Sequence, residues 1–152
     1  MTVVGSLNAI AVKAETITGL KRCYGPGGSE GVTGGGTVRP IPRGIDDGPV
    51  GIVWLGSSSQ EGGNAEALLV EVNLDIWIQA DNSGWAYQTL AAFCDLARTA
   101  FRSDMDLGGQ ADRCQMVGWD EPLTETVNNR QFLVLPIRLP TLITRFAADA
   151  SA

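Results

Sequence analysis

The fold is decided by the stretch EALLVEVNLDIWIQ at residues 66–79 and by the segment ADNSGWAYQTLAAFCDLARTAFRSDMDLGG that continues it over residues 80–109. In the first stretch apolar and polar residues alternate, which is the pattern of a β-strand with one buried face. The core face consists of Val70, Val72, Leu74, Ile76 and Ile78. At roughly 3.3 Å per residue such a strand is about 40 Å long, so we expect it to extend beyond the core of its own subunit.

The second segment predicts an amphipathic helix that is apolar on more than one side. Its inner stripe consists of Ala86, Leu90, Phe93, Ala97 and Phe101. A second stripe beside it consists of Trp85, Thr89, Ala92, Leu96 and Ala100. Since one buried face is enough for a surface helix, the second stripe requires a partner, either the first helix of the same chain or a neighbouring subunit.

The rest of the chain predicts one more helix and several shorter strands. Helical spacing over residues 7–17 indicates the helix, with Ser6 as its N-cap and Gly19 at its end. Shorter strands are predicted at residues 20–24, 50–55, 113–119 and 132–139. The predicted fold is a single α+β domain at residues 1–146, followed by a short tail at 147–152. Its sheet is mixed or mainly antiparallel, has about four to five strands including a long β-hairpin, and packs against two helices.

Two glycine-rich segments are predicted to be mobile loops. The first spans residues 25–36, and the second, GSSSQEGG at 56–63, forms the tip of the hairpin between the strand at 50–55 and the long strand. Because this tip has no apolar side chain, we expect it to become ordered only against a partner. Its candidate contact residues are Ser57, Ser58, Ser59, Gln60 and Glu61.

Further candidate contact residues lie on the long strand, the helix and the last strand. Trp77 is on the polar side of the long strand, where it is either an exposed contact anchor or covered by a loop or the first helix of the same chain. Trp85 and Leu96 belong to the second helical stripe. Pro136 and Arg138 lie on the outer face of the last strand, which we place at a sheet edge or beside a bulge because proline lacks a backbone donor.

Composition narrows the possible chemistry. The net charge of −6 argues against a duplex-binding surface, because affinity for phosphate backbones comes from clustered Lys and Arg. The chain has no histidine, the commonest general base near neutral pH, and its three cysteines show no CxxC spacing. No segment reaches the roughly 18 apolar residues of a membrane span. We therefore expect a non-enzymatic protein without a cofactor or metal, with buried and reduced thiols, and without membrane contact.

Two motifs resemble binding sites but lack the full pattern. The glycine-rich stretch at 25–31 has no GxxxxGK[ST] sequence, and Glu30 within it would repel an anion. The acidic residues around Gly108 are spaced loosely like calcium ligands, but Gly108 stands where a third ligand is needed and no Glu closes the loop. We interpret the first motif as a flexible loop and the second as a helix-to-strand turn.

One ordered pattern runs through most of the domain. Its members are Ile41-Pro42 and Pro49-Val50 before a strand, residues 70–78 in a strand, Ala86, Tyr87 and Leu90 at the start of the helix, and Asp106-Leu107-Gly108-Gly109 in the turn that closes it. This order resembles the tail terminator family of long-tailed bacteriophages, also called tail completion or minor tail protein U-like. The pattern contains no catalytic signature, and the chain departs from it by a longer glycine-rich insertion at 25–36.

The resemblance implies a homo-oligomeric ring, a hexamer, that sits on the last ring of the tail tube and stops its polymerisation. Its partners would be the tail tube protein and a head-completion or connector protein, with DNA passing through the lumen without specific binding. Its location would be the tail-neck junction of the virion, and the host cytoplasm during assembly. Two alternatives remain open: another component of the phage neck, and a small soluble enzyme or ligand-binding domain that uses the glycine loop.

Overall fold

The computed structural model describes residues 1–25, 40–61, 64–80, 83–102 and 105–144. Within these ranges the chain forms two α-helices and one eight-stranded sheet, which confirms the α+β fold and shows that the predicted strand number is too low. The elements are α1 (Val3–Ala14), β1 (Arg22–Tyr24), β2 (Val50–Glu61), β3 (Asn64–Gln79), α2 (Ser83–Ala100), β4 (Arg113–Cys114), β5 (Gly118–Trp119), β6 (Leu123–Val127), β7 (Arg130–Arg138) and β8 (Thr141–Thr144). The predicted loop at 25–36, apart from Gly25, and the predicted tail at 147–152 lie outside the described ranges.

β3 is the centre of the sheet. The strand order is β1-β2-β3-β7-β5, with β6 also paired to β7 and β8 paired to both β3 and β4. β1 is parallel to β2, and the other pairs are antiparallel. β7 and β8 follow the same side of β3 in one register, from Asn73 opposite Arg138 to Val70 opposite Thr141. The sheet is therefore organised around the long strand that the sequence predicts.

Both helices pack on one face of the sheet. α1 lies over β1 and β2, and α2 lies over β3 and β7. The apolar residues between the layers form the larger core, and the predicted core face of β3 is part of it. Because burial stabilises by about 25 cal/mol per Å² of apolar surface removed from water, we expect this layer to be the main source of stability.

The other face of β3 carries a smaller core around Trp77. Its buried members are Ile45, Val50, Ile52, Trp77, Phe132 and Val134. Trp77 is 1 % exposed, and its ring centroid lies 6.1 Å from that of Phe132. The prediction of an exposed contact anchor at Trp77 is wrong, and the alternative of a covering loop is right, since Ile41 and Ile45 pack here. Alternation along β3 does not reveal this cover, because the covering residues come from a distant segment of the chain.

The hairpin between β2 and β3 is more regular than predicted. β2 continues to Glu61, so residues 56–61 form a strand where a loop is predicted. The mobility predicted for 56–63 stays a prediction, and the last two residues of that segment lie outside the described ranges. A β-bulge separates Leu55 from Ser58, where the register with β3 shifts. The backbone ladder with β3 orders this segment although its side chains are small and polar, because ladder hydrogen bonds need no side chain.

α1 begins earlier than predicted. It spans Val3–Ala14, and its N-cap is Thr2, whose Oγ1 accepts a hydrogen bond from Gly5 N at 2.9 Å. Ser6 is not the cap: it is buried within the helix, and its hydroxyl donates to the backbone oxygen of Gln110. This hydrogen bond ties α1 to the turn that follows α2, so a long-range contact takes the place of the local capping role that serine favours.

β7 is an interior strand, so of the two predicted positions for Pro136 the sheet edge is wrong. The alternative position beside a bulge agrees with the pairing, since the register on the outer side of β7 shifts by one residue between β5 and β6. Pro136 is buried opposite Asp75 of β3, and its carbonyl accepts a hydrogen bond from Asp120 N at 2.8 Å on the other side. Because the nitrogen and carbonyl of one residue point to the same side of a strand, the proline nitrogen also faces away from β3. The partner on that side is interrupted between β5 and β6, which is where a missing donor is tolerated.

Two of the three additional strands arise from the chain between α2 and β7, and the third, β8, follows β7. Residues 113–119 form two short strands instead of one, because β4 pairs with β8 whereas β5 pairs with β7. β6 pairs with β7 through a turn at Asn128 and Asn129, with φ of 52° and 64°. Positive φ at both positions is the signature of a type I′ hairpin turn, which asparagine tolerates. The alternating sequence LTETV followed by two asparagines indicates this hairpin, which is absent from the predicted strands.

Candidate assembly surface

Exposed large apolar side chains concentrate on the helix-bearing face of the sheet. They are Val4 and Val12 on α1, Trp85, Tyr87 and Leu96 on α2, Leu55 on β2, Val117 just before β5, and Trp119 in β5. Leu55 and Trp119 belong to this face because they pair with Val72 and Ile137 of the larger core. Outside the irregular segment before β5, no described residue with a large apolar side chain is exposed on the opposite face. The two faces of the sheet therefore present different surfaces to a partner.

α2 is apolar on both flanks of its exposed surface. On one flank Trp85 and Leu96 of the predicted second stripe are exposed, so α1 of the same chain does not cover them. On the other flank Tyr87 and Ala91 are exposed, and a polar ridge that contains Gln88 runs between the two flanks. Within the subunit the first helix therefore leaves Trp85 and Leu96 of the second stripe uncovered, whereas Thr89 and Ala100 of the same stripe are partly buried.

The second flank of α2 forms one wall of a groove of about 280 Å³, which we call the α2–β5 groove. Its apolar lining includes Tyr87, Leu90, Ala91, Cys94, Trp119 and Leu135. Tyr87 is 58 % exposed and Trp119 is 47 % exposed, and Asp95 is the charged residue in the lining. Exposed aromatic residues at an open apolar groove are of the type that anchors protein contacts.

The predicted contact residues of the hairpin lie away from this groove. Ser57, Ser58 and Ser59 are exposed on β2, and Gln60 and Glu61 continue the strand beyond them. β1 pairs only with the start of β2, and no other described strand pairs along that outer side of β2. Within the described ranges this segment is an edge of the sheet, and edges of this kind are open to pairing.

The remaining predicted contact residues fall into three groups. Trp77 and Pro136 are buried within the subunit, so they are wrong as surface contact residues. Trp85 and Leu96 are exposed on α2, as the prediction requires. Arg138 is exposed on the face opposite the helices, and its Nε lies 3.4 Å from Oδ1 of Asp120. The structure thus brings together the two helical residues and separates them from the others.

The thiols are buried, as predicted from the sequence. Burial raises the pKa of the Cys114 thiol to about 11, although a hydrogen bond with Thr141 acts against that rise. Burial also raises the pKa of Cys23 and of Cys94, and the carboxylate of Asp95 raises the latter further. Protonated thiols are weak nucleophiles. In the described ranges, no group of three His, Cys, Asp or Glu residues is arranged to hold a metal ion.

The turn at Asp106 uses its carboxylate to order the backbone. Oδ1 of Asp106 accepts a hydrogen bond from Gly108 N at 3.1 Å, and the backbone oxygen of Asp106 accepts from Gly109 N and Ala111 N. Leu107, Gly108 and Gly109 all have positive φ, which explains the two glycines at this position. The geometry is that of the helix-to-strand turn that the sequence predicts.

Sequence reasoning misses several residues of the exposed apolar surface. Ala91 belongs to neither of the two apolar stripes predicted for α2, although its spacing of four from Tyr87 places both on one flank. Val12 and Trp119 give no signal in the sequence, because their exposure depends on where α1 and β5 lie in the folded domain. A helical wheel of α2 places Tyr87 and Ala91 together on the flank opposite the predicted second stripe.

No family model matches the chain, and none of the curated proteins matches it. None of the helices in the described ranges is long and apolar enough to cross a membrane.

Proposed function

We propose that this protein is a structural subunit that assembles into a ring, and that the ring caps the tail tube of a long-tailed bacteriophage. The observation that carries the proposal is the concentration of exposed apolar side chains on the helix-bearing face. Exposed apolar surface with aromatic anchors is expected where another protein docks. The resemblance to tail terminators supplies the type of assembly, a hexameric ring that ends tube growth.

The arrangement of the apolar surface supports a ring in preference to a two-fold dimer. A closed ring requires two different patches on each subunit, since each copy docks head to tail on the next. α2 offers one exposed apolar flank at Leu96 and another at Tyr87 and Ala91, separated by the polar ridge at Gln88. A two-fold dimer requires only one self-complementary patch.

The hairpin of β2 and β3 supports contacts above or below such a ring. β2 runs on to Glu61, well past the short strand β1 that pairs with its first residues. In the proposed assembly this end of the sheet meets the tail tube protein or the head-completion protein. The net charge of −6 is compatible with a lumen that DNA passes without specific binding.

Electron microscopy of tail tubes assembled in the presence of the purified protein tests the proposal. We expect a ring at one end of each tube and shorter tubes as the protein concentration rises. The double variant Ala91→Glu/Leu96→Glu, which places one charge on each flank of α2, should abolish the rings. The matched control is Gln88→Glu/Thr99→Glu, which places the same two charges on exposed polar positions of the helix.

Two results would contradict the proposal in different ways. Tubes of unchanged length without an added ring would exclude the terminator role. Rings that bind a connector protein but never a tube would identify another component of the phage neck.

A further inference from the structure

Two exposed apolar surfaces lie towards opposite ends of the strand order. α1 packs on β1 and β2, and its outer side exposes Val4 and Val12, the latter to 68 %. The α2–β5 groove lies at the other end, beside β5. A head-to-tail contact between identical subunits joins two such surfaces, one from each copy. Because α1 and the α2–β5 groove lie towards opposite ends of the sheet, α1 of one copy can contact the groove of the next.

The groove has the shape and lining to receive an aliphatic side chain. Its volume of about 280 Å³ exceeds that of a valine side chain, and Leu90, Cys94 and Leu135 supply apolar surface within it. Tyr87 and Trp119 are its exposed aromatic residues. An apolar side chain that enters the groove removes aromatic surface of its lining from water, which is how contact hot spots stabilise an interface.

One residue beside each apolar contact carries a charge opposite to that of its proposed partner, and Asp106 lies in the same depression as Val12 and Lys13. Lys13 is the charged residue of α1 and directly follows Val12. Asp95 is the charged residue of the groove lining, and it is exposed. Neither Lys13 nor Asp95 forms an ion pair with another residue in the described part of the chain. Opposite charges beside an apolar contact favour one orientation of two partners over others.

We infer that copies of this chain associate head to tail, with Val12 of one copy seated in the α2–β5 groove of the next and Lys13 placed beside Asp95. The inference rests on the proposed ring and names the surfaces that close it. Val4, which is exposed on the same helix, extends the contact along the groove wall.

Disulfide cross-linking between two singly substituted proteins tests the pairing. Val12→Cys and Ala91→Cys are prepared separately in a Cys94→Ala background, because the native Cys94 lines the groove and would itself react with a thiol at position 12. The two proteins are mixed in equal amounts and exposed to copper phenanthroline, an oxidant that joins neighbouring thiols. We expect a covalent dimer in the mixture and none with either protein alone. The double variant Val12→Cys/Ala91→Cys should give a ladder of covalent oligomers, because each copy then carries both partners.

Two controls define the background. The unsubstituted protein reports any reaction of its own cysteines, which are buried. Gln88→Cys replaces Ala91→Cys in a second mixture, because Gln88 is exposed on the same helix but outside the groove lining. We expect at least a tenfold lower yield of covalent dimer from that mixture.

The outcomes separate the inference from the proposed ring. A covalent dimer from Ala91→Cys alone indicates a two-fold contact and overturns the head-to-tail pairing. A native mass that shows oligomers, combined with no cross-link between the two variants, overturns the inference and leaves the ring intact. A monomer at every concentration, without cross-links, overturns both.

Discussion

The two faces of the sheet differ in what they bury and in what they leave exposed. The helix-bearing face buries the larger core and still leaves Val12, Leu96 and Trp119 exposed. The opposite face buries a small core around Trp77, and outside the segment before β5 none of its described large apolar side chains is exposed. A surface that exposes large apolar side chains after forming a complete core has more apolar area than a subunit needs for folding. The inside of the helical layer is the main source of stability, and its outside is the surface that we propose for assembly.

Matched truncations in the two cores should have the largest effects on stability. Ile76 lies in the larger core and Ile52 in the smaller one, and both are buried. We expect Ile76→Ala to lower the free energy of unfolding by about 4 kcal/mol and Ile52→Ala by about 2 kcal/mol, because a peripheral site relaxes around the cavity more easily. Urea denaturation measures both. Equal losses would show that the two cores contribute alike.

The pH dependence of stability should reveal a buried thiol of the larger core. The native pKa of Cys114 is about 11, above its ordinary value near 9, so the unfolded chain releases this proton first as pH rises. Its contribution is fully present below pH 9 and is lost between about pH 9 and 11. Relative to Cys114→Ala, the unsubstituted protein should lose about 2 kcal/mol of stability over that interval. A constant difference between the two proteins across this range would contradict the burial of the thiol.

A smaller effect is expected from Trp77→Phe in the smaller core. The ring loses volume, which costs stability, but the change also removes Nε1, a buried donor with no acceptor among the described residues. We expect a net loss of about 1 kcal/mol, well below the roughly 3–5 kcal/mol of a truncation to alanine. Thermal unfolding of both variants measures the difference. A loss of stability from Trp77→Phe as large as that from Trp77→Ala would mean that the indole nitrogen forms a hydrogen bond in the folded protein.

The smallest effect on stability is expected on the outside of the helical layer. Ala91→Glu/Leu96→Glu and Gln88→Glu/Thr99→Glu change exposed positions of α2, so each pair should alter the free energy of unfolding by about 1 kcal/mol or less. Chemical denaturation at a concentration where the protein is monomeric gives the comparison. A loss of several kcal/mol in the first pair alone would place these side chains inside the subunit.

Much of the fold follows from local patterns, and the errors have a common origin. Period-two alternation correctly predicts the core face of β3, and the helical stripe of α2 correctly predicts its buried side. Trp77 and Pro136 are misplaced because their surroundings are set by distant segments, the loop at Ile41 and the break between β5 and β6. The prediction of Ser6 as an N-cap is wrong for the same reason, since its hydrogen-bond partner Gln110 is far away in the chain.

The candidate surface is predicted only in part. The second stripe of α2 indicates Trp85 and Leu96 from the sequence, because helical periodicity alone places them together. The α2–β5 groove is not predictable in this way, since Trp119 reaches α2 only through the pairing of β5 with β7. Contacts within one element are readable from periodicity, whereas contacts between elements require the sheet order.

The most direct test of the account is the mass of the protein in native solution, measured from low to high micromolar concentration. We expect the unsubstituted protein and the control Gln88→Glu/Thr99→Glu to form one closed oligomer of defined mass. The variant Ala91→Glu/Leu96→Glu should remain a folded monomer throughout. An unsubstituted protein that stays monomeric at every concentration, or a flank variant that assembles as well as the control, would contradict the claim that the outside of the helical layer is an assembly surface.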